Sequence, residues 1–457
     1  MKKSVSVILV ILLVLSLAAC GNTTETVSSD TQQSAITEST ENLSSGDAGE
    51  KQTGTEQDPS ESTDAITTES GSLRPEYDTS SQYGAYVLQN GDAIIGGTYA
   101  ATEKDESVIE ASGSVKASVT GSVLKKASGY ASSADDSSFK GVNAGVRVYG
   151  SAEVTLKDCT IEADAKNATG VFAYDKGVIY ISDSTVTVTG GGAGGVQVAG
   201  GGTLYGTNLT VTTASKAAIR SDRGGGTMVI DGGTYTSTGS DGCPVIYSTA
   251  DITVKNATGI STNSRAVIIE GKNSVTLENT TLTGNDQSSK SGSVRANVLL
   301  YQSASGDAAE GTSVFTMNGG KLISQSGAMF YCTNTSSVIN LKSADLILSS
   351  DGSLLIVSAG RWGKDGKNGG KCTFNADEQT LEGTITVDSI SALSLNLTNS
   401  TFTGSIINEG ATAVTMNSGS KWILTGDSSV SSLSGDTSGI DLNGFTLLVN
   451  GAAYDGK

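Results

Sequence analysis

The sequence predicts an all-β protein built as a parallel β-solenoid, in which short strands wind coil upon coil. One pattern recurs: apolar, any residue, apolar, any residue, then Asp, Asn or Gly. It fits residues 154–161, 179–186, 228–235, 275–282 and 395–402. The Asp, Asn or Gly position falls at 158, 183, 206, 232, 256 and 279, in steps of 23 to 26 residues. Alternating apolar residues indicate strands with one buried face, and this repeat length is typical of one solenoid coil.

The interruption in each repeat predicts a corner. Asp, Asn and Gly tolerate a left-handed backbone better than other residues, so one short strand ends there and another begins. The chain has 58 Gly but only 3 Pro, which suits strands joined by many turns. Equivalent residues of successive coils should stack about 4.8 Å apart. Residues 84–450 give room for roughly fifteen coils, with insertions expected as corner loops near 125–140, 285–297, 303–311 and 362–370.

Residues 1–19 have the character of a signal peptide. Lys2 and Lys3 precede an apolar run at 5–15, which is too short to span a membrane comfortably, and small residues then lead to Cys20. The stretch Leu-Ala-Ala-Cys resembles the bacterial lipobox. This resemblance implies that Cys20 is acylated and anchors the mature protein to the extracellular face of the cell membrane. An ordinary secretory signal with a chance cysteine is the alternative.

Residues 20–83 are predicted to form an acidic, disordered linker that carries the lipid at its start. Ser, Thr, Glu, Asp, Gln and Gly dominate it, and residues 21–78 contain 13 acidic residues against Lys51 and Arg74. Such a segment cannot bury enough apolar surface to offset its ordering entropy. We therefore expect a stalk that holds the β-domain away from the membrane.

Charge and composition restrict the possible chemistry. The net charge is −18 and no Lys/Arg cluster occurs, which argues against a nucleic-acid partner. The chain has no histidine, the commonest general base and metal ligand. The cysteines after Cys20 show no metal-ligand spacing. We interpret them as inward-facing small apolar residues, with a disulfide between the last two as the alternative: Cys159, Cys243, Cys332 and Cys372.

The folded part resembles the pectin-lyase-like β-helices, especially adhesin-like surface proteins and autotransporter passengers. The more specific stretch is Trp-Ile-Leu-Thr-Gly-Asp-Ser at 422–428, similar to a coil near the C-terminal end of passenger-type adhesins. The resemblance implies a right-handed, single-stranded parallel β-helix over 84–457 that ends in a capping coil. Trp422 and Asp427 are then expected to be structural residues of that cap.

A catalytic role is less well supported by the sequence. Pectin-lyase-like folds include polysaccharide lyases and galacturonases, but acid–base chemistry needs clustered carboxylates or a base beside them. The nearest approach is Arg220, Asp222 and Arg223, which we interpret as a solvated coil corner with an ion pair. Asp365 and Asn368 lie in a Gly-rich loop and offer two oxygen ligands, fewer than calcium requires. No cofactor is predicted, with calcium at this loop as the alternative.

Outward-facing rows are where a solenoid would bind a ligand. Alignment at 25-residue spacing predicts one row of Arg147, Phe172 and Gln197 and a second of Tyr149, Tyr174 and Ala199. Tyr180 should also face outward. We expect an exposed aromatic patch for sugars or protein partners, with sheet stabilisation by cross-strand aromatics as the alternative: Arg147, Tyr149, Phe172, Tyr174 and Tyr180.

These observations favour a lipid-anchored surface protein that acts in adhesion or in carbohydrate or other ligand binding and is not an enzyme. Its expected partners are the membrane, through the N-terminal lipid, and a polysaccharide or host-surface ligand. Two alternatives remain: a polysaccharide lyase or glycoside hydrolase of the pectin-lyase-like fold, and a purely structural envelope protein.

Overall fold

The computed structural model describes residues 84–240 and 242–456. They form a right-handed parallel β-helix, which confirms the predicted fold class. The predicted signal peptide, the linker and Cys20 lie outside the described residues. Within the described part, no helix is both long and apolar enough to cross a membrane.

Forty short strands and one helix make up the described part. The first half contains β1 (Gly84–Val87), β2 (Ala93–Ile95), β3 (Thr98–Ala101), β4 (Ser107–Ala111), β5 (Lys116–Thr120), β6 (Val123–Lys126), α1 (Ala134–Lys140), β7 (Val146–Val148), β8 (Glu153–Lys157), β9 (Thr160–Ala163), β10 (Val171–Tyr174), β11 (Val178–Ser182), β12 (Thr185–Val188), β13 (Val196–Ala199), β14 (Gly202–Thr213), β15 (Ile219–Ser221), β16 (Gly226–Ser240), β17 (Ile246–Ser248), β18 (Asp251–Lys255), β19 (Thr258–Asn263) and β20 (Val267–Glu270).

The second half contains β21 (Ser274–Glu278), β22 (Thr281–Gly284), β23 (Ala296–Tyr301), β24 (Thr312–Asn318), β25 (Lys321–Ser324), β26 (Ala328–Thr333), β27 (Ser336–Lys342), β28 (Asp345–Ile347), β29 (Ser353–Val357), β30 (Lys371–Asp377), β31 (Thr380–Val387), β32 (Ala392–Thr398), β33 (Thr401–Asn408), β34 (Ala411–Met416), β35 (Lys421–Leu424), β36 (Ser428–Val430), β37 (Ser432–Gly435), β38 (Ile440–Asp441), β39 (Leu447–Val449) and β40 (Ala452–Ala453).

The strands form two long parallel sheets and one small one. Each coil gives one strand to a 15-stranded sheet, which runs from β1 to β38. The remaining strands of the coils form a 22-stranded sheet, and β36, β39 and β40 form a three-stranded sheet near the C-terminus. The one antiparallel pairing in the described part joins β39 and β40.

The predicted corners are left-handed with one exception. Asp158, Asp183 and Asn279 have φ values of 53°, 50° and 47°. Position 206 was predicted wrongly, because Gly206 lies in an inward-facing row and Asn208, with φ 50°, makes the turn. A Cβ on Gly206 would lie 2.8 Å from Ile230 Cδ1, so large neighbours already fill the space that its own side chain would occupy.

Stacked apolar ladders fill the interior between the two long sheets. One ladder aligns Val146, Val171 and Val196, and all three are fully buried. Aromatic rings replace the aliphatic residues further along, where the Phe330 ring packs 5.8 Å from Phe315 and 5.7 Å from Phe374 between centroids. Because neighbouring coils align in register, each inward side chain buries its surface against the coil above and the coil below.

The predicted insertion at 125–140 contains a helix as well as loop. Helix α1 begins after Ser133, whose hydroxyl accepts a hydrogen bond from Asp136 N at 3.0 Å, and it ends at Gly141, with φ 71°. Ser and Gly are favoured at these two helix ends. The Ser137 hydroxyl donates to Asn167 O at 2.7 Å, so the helix lies against the coils that follow it.

The two residues predicted for the cap occupy different environments. Trp422 is fully buried, stacks at 5.9 Å on Phe402 and donates its indole N–H to Gly404 O at 3.1 Å. Asp427 is exposed and accepts a hydrogen bond from Thr446 N at 2.8 Å, beside the three-stranded sheet. The capping role itself stays a prediction.

Candidate ligand-binding surface

The outward face of the 15-stranded sheet is covered from β4 to β29, whereas further along the same row Ile407 of β33 is 51% exposed. The insertions at 127–144, 285–297, 302–311 and 358–370 lie over it, and together we name them the cover. Beneath the cover runs one row of ten outward positions, of which nine are buried and the last is partly buried: Glu110, Arg147, Phe172, Gln197, Arg220, Tyr247, Ile268, Leu299, Tyr331 and Ile356.

Most of the predicted aromatic patch lies under this cover, so its predicted exposure is wrong. Arg147 and Phe172 are 0% exposed and Tyr174 is 7% exposed, while Tyr149 is partly buried. The first predicted row is confirmed, since Phe172 pairs with both Arg147 and Gln197, and in the second row Tyr174 pairs with Ala199. The side chains do point away from the interior of the coils, but helix α1 folds back over them.

Specific contacts hold the helix in this place. Arg147 Nε donates to Lys140 O at 2.8 Å, and Gln197 Nε2 donates to Ser138 O at 2.8 Å. Gly141 lies directly against Phe172, because a Cβ there would come within 2.5 Å of the ring carbon Cγ. The end of the helix is therefore tied to three successive coils.

Buried charges under the cover are paired. Glu110 accepts from Arg147 at 3.2 Å and from the Tyr149 hydroxyl at 3.0 Å, and the Arg147 guanidinium stacks 4.3 Å from the Tyr149 ring. Burial raises the pKa of both Tyr149 and Tyr174 above their usual range. These phenols consequently stay neutral and serve as hydrogen-bonding or packing groups.

The predicted ion pair at the Arg220 corner is confirmed, but the corner is not solvated. Asp222 accepts from Arg220 Nε at 2.7 Å and from its NH2 at 2.8 Å, and both residues are buried. Gln197 Nε2 also donates to Asp222, at 2.7 Å. Arg223 is exposed and pairs with Asp307 at 2.6 Å while it stacks 4.2 Å from Phe139 of α1. Arg223 thus joins two segments of the cover.

The buried carboxylate of Glu270 holds the middle of the cover in place. It accepts hydrogen bonds from Tyr247 at 2.5 Å, from Tyr301 at 3.0 Å and from the Ser303 hydroxyl. Burial, first of all, raises the pKa of both tyrosines well above the usual value. The Tyr301 ring lies 4.6 Å from Trp362, which belongs to the last segment of the cover.

The side-chain amide of Asn368 holds together the loop that was considered for calcium. Asn368 is buried, and its Nδ2 donates to Gly360 O at 2.7 Å and to Trp362 O at 2.9 Å, whereas Asp365 is exposed. The two predicted ligands therefore lie in different environments. Within the described residues, no three Asp, Glu, Cys or His side chains cluster in a way that could hold a metal ion.

The cysteines after the linker are interior residues, as predicted. All four are buried, and no disulfide joins them within the described part of the chain: Cys159, Cys243, Cys332 and Cys372. Cys332 and Cys372 are neighbours, since the thiol of Cys332 is the main cause that raises the pKa of Cys372. The proposed alternative of a disulfide between them is not seen in this structure.

The outward face of the 22-stranded sheet has a different character because it is open. Tyr180 faces outward as predicted and is 41% exposed. Its partner in the next coil, Tyr205, is 39% exposed, and the two rings stack with centroids 5.1 Å apart and planes inclined by 11°. Tyr205 was missed, although it lies 25 residues after Tyr180, between Leu204 and Gly206 of the inward rows.

Threonines continue this open surface beyond the corner. Six of them occupy one position in six successive coils and are exposed or half-exposed: Thr160, Thr185, Thr210, Thr234, Thr258 and Thr281. A second row, two residues further along each strand, contains Thr187, Thr212, Thr236 and Thr283. These two rows therefore present mostly hydroxyl and methyl groups, with Glu162 in the second row. The row that contains Thr207 beside the rings becomes charged in the following coils, at Asp231, Lys255 and Glu278.

The fold and its surfaces define this chain as a right-handed parallel β-helix with one face that is largely covered from β4 to β29 and one open face. Comparison of the chain with protein-family models, with curated proteins and with solved structures gave no match.

Proposed function

We propose that this protein is a lipid-anchored cell-surface protein whose β-helix binds carbohydrate and does not cleave it. The observation that carries the proposal is the exposed, stacked pair formed by Tyr180 and Tyr205. Aromatic rings with polar neighbours are the groups on which sugars stack, since the ring covers the apolar C–H face of the sugar.

The surroundings of the pair favour a neutral ligand. Thr155 precedes Tyr180 in the same row and Val229 follows Tyr205. Both side chains are shorter than a tyrosine, so the outer faces of the two rings are not fully covered. Thr207 adds an exposed hydroxyl on the strand that carries Tyr205. The net charge of −18 disfavours a polyanion.

The state of the carboxylates supports binding rather than cleavage. Asp222 and Glu270 are buried and already accept hydrogen bonds from Arg220, Tyr247 and Tyr301. A general acid or base must reach the proton that it transfers. Carboxylates closed off beneath the cover do not meet this condition, which makes a lyase or hydrolase the weaker proposal.

The test is a glycan and polysaccharide array with the full chain and with a Tyr180→Ser/Tyr205→Ser variant. We expect the wild type to bind neutral glycans and the double variant to lose at least about fivefold in affinity, since aromatic contacts contribute about 0.5–1.5 kcal/mol each. Tyr130→Ser is the matched control, because Tyr130 is 50% exposed but lies away from the pair, beside Lys104.

Equal binding by wild type and double variant would contradict the proposal. Release of shorter chains from any bound polysaccharide, with or without calcium, would favour the lyase or hydrolase alternative. The anchor is tested separately: metabolic labelling with a fatty-acid analogue should mark the wild type and not Cys20→Ala. A Cys20→Ala variant that is still labelled would overturn the lipid anchor.

A further inference from the structure

One outward row of the 22-stranded sheet is uncharged over nine successive coils. It starts at the stacked pair of Tyr180 and Tyr205 and ends at Asn396. Neighbouring strands lie about 4.8 Å apart, so this row runs for roughly 38 Å along the axis of the β-helix. All nine side chains are exposed or half-exposed, and we name them the neutral strip: Tyr180, Tyr205, Val229, Thr253, Thr276, Thr316, Asn340, Asn375 and Asn396.

The far end of the neutral strip is a ladder of side-chain amides. Asn396 Nδ2 donates to Asn375 Oδ1 at 2.8 Å, and Asn375 Nδ2 donates to Asn340 Oδ1 at 2.8 Å. Asn340 Nδ2 in turn donates to the Thr316 hydroxyl at 3.1 Å. A primary amide has two N–H donors and two acceptor lone pairs. Within the described residues, Asn340 and Asn375 each use one of each kind, so each keeps one donor and one acceptor for a ligand.

A shallow groove lies directly beside this ladder. Its volume is about 260 Å³, and its lining includes Val338, Thr373 and Ser394. These three side chains form the neighbouring outward row, since each lies two residues before an amide of the ladder on the same strand. Lys371, which is exposed, is the charged member of the lining. A ligand that binds the amides therefore also has a mostly uncharged groove in which to lie.

Charged residues next to the neutral strip already have partners within the protein. Two residues after the strip on their strands, Lys255 pairs with Glu278 at 2.9 Å. Further along the same row, Lys342 pairs with Asp377 at 2.7 Å. On the other side of the strip, Asp251 accepts a hydrogen bond from a serine hydroxyl of the next coil at 2.7 Å. A polyanion is bound through cations that can pair with it, so these paired lysines favour an uncharged ligand.

We propose that the ligand of this surface is a linear, uncharged polysaccharide that lies lengthwise along the neutral strip. The inference rests on the proposed function and adds the class and the orientation of the ligand. Tyr180 and Tyr205 stack on one stretch of the polysaccharide, and the amide ladder binds hydroxyl groups of another stretch. A sugar hydroxyl both donates and accepts a hydrogen bond, which matches the donor and the acceptor that each amide keeps. The amides also repeat at the strand spacing, which is close to the length of one sugar unit in an extended chain.

The experiment measures how the affinity of the full chain depends on ligand length. The probes are size-fractionated oligosaccharides of dextran, xylan and mannan, from disaccharides to decasaccharides, with polygalacturonate fragments as the anionic comparison. We expect a neutral series to bind, and its decasaccharide to bind at least about fivefold more tightly than its tetrasaccharide, which is the effect of two added hydrogen bonds. The polygalacturonate fragments should bind more weakly than that series at every length.

Asn375→Ala tests the ladder at its centre. The variant should lose the additional affinity for the decasaccharide and keep the affinity for the tetrasaccharide, because the short ligand is held by the two rings. Asn263→Ala is the matched control and should bind as the wild type does. Asn263 is exposed at the end of β19 in the same sheet, and its amide also donates to the preceding coil, at 2.9 Å to Thr238 O, but it lies outside the strip.

Failure of this inference can be told apart from failure of the proposed function. If Tyr180→Ser/Tyr205→Ser weakens binding but affinity does not rise beyond the tetrasaccharide, the lengthwise ligand is overturned and the proposed function stands. The same conclusion holds if Asn375→Ala lowers thermal stability but keeps the length dependence, since the ladder is then purely structural. Tighter binding of polygalacturonate than of every neutral series would overturn the uncharged class. Absence of binding to any of these oligosaccharides would overturn both proposals.

Discussion

The two outward faces of this β-helix are built from the same repeat, yet they differ in almost every physical property. On the 15-stranded sheet, the outward side chains of the row from Glu110 to Ile356 are mostly large or charged, and the cover closes them off from water. On the 22-stranded sheet, the corresponding positions hold threonines, the Tyr180–Tyr205 pair and exposed ion pairs, all of which reach water. The strand period alone thus does not decide what is buried, because insertions at the corners add a second layer to one face only.

The ion pairs also differ between the covered face and the open face. Under the cover, Arg147, Arg220 and Arg265 each have a buried carboxylate partner, at 2.7 to 3.2 Å. On the open face the ion pairs, such as that of Lys342 with Asp377, are exposed. Exposed pairs contribute little to stability, whereas removal of one member of a buried pair leaves a charge without compensation. The comparison therefore predicts different costs for similar substitutions.

The largest difference is expected at Asp222. In Asp222→Ala the Arg220 guanidinium stays buried without its bidentate partner, so the free energy of unfolding should fall by about 3–5 kcal/mol. Asp231→Ala is the control on the open face, where the carboxylate is exposed and accepts one hydrogen bond from Asn256 at 2.8 Å. Urea unfolding of both variants measures this, and equal losses would contradict the division into two faces.

A smaller effect is expected where the cover meets the sheet. In Gly141→Ala the new Cβ would meet Phe172 at 2.5 Å, at a residue with φ 71°. We expect a loss of about 1–3 kcal/mol and faster proteolysis within 127–144.

Gly201→Ala separates backbone strain from the clash. Gly201 has φ 80°, but nothing lies within 4 Å of its Cβ position. Gly201→Ala should therefore lose stability through backbone strain, but proteolysis within 127–144 should stay as in the wild type. Unchanged proteolysis at 127–144 in Gly141→Ala would indicate that the helix is not held by this contact.

The pH dependence of stability should also distinguish the faces. Lys216 lies at the edge of the cover, where its Nζ donates to Ser138 of α1 at 2.7 Å. Because burial lowers the pKa of Lys216 from 10.5 to about 8 on folding, the unfolded chain binds more protons between these two pH values, and stability rises with pH there. Lys216→Met should therefore be more stable than wild type at pH 7, by about 1–2 kcal/mol, and the gap should narrow toward pH 10.

For Lys342 we expect stability to change with pH in the opposite direction. Its pKa is raised on folding by Asp377, so its contribution to stability is lost as pH rises through the raised value. Thermal unfolding of Lys216→Met and Lys342→Met from pH 7 to 10 compares the two slopes. Parallel slopes for the two variants would show that the corner at Lys216 is not a distinct environment.

The smallest effect on stability is expected at the stacked pair. Tyr205→Ser removes one cross-strand contact from an exposed row and should cost about 0.2–1 kcal/mol. Tyr174→Ser removes a ring that is 7% exposed and should cost clearly more. Thermal unfolding of both variants sharpens the comparison, and a larger loss for Tyr205→Ser would mean that the open face is structural.

The repeat made most of the fold predictable. Apolar alternation located the inward ladders, and Asp158, Asp183 and Asn279 marked left-handed corners. Gly206 was misassigned because Gly fits a corner and a crowded interior row equally well. Tyr180 was found from alternation, whereas Tyr205 would have followed from the same spacing one coil later.

The amino-acid sequence by itself determined the coil, its repeat length and the direction in which each strand residue points. These are local properties, because side chains of a strand alternate between its two faces and the corner residues recur at a regular spacing. Only the tertiary structure decided which outward residues reach water. Helix α1 buries Phe172 and Tyr174, and the loops over Glu270 close the middle of the same face. Burial there depends on contacts between residues tens of positions apart, and a short-range pattern carries no record of such contacts.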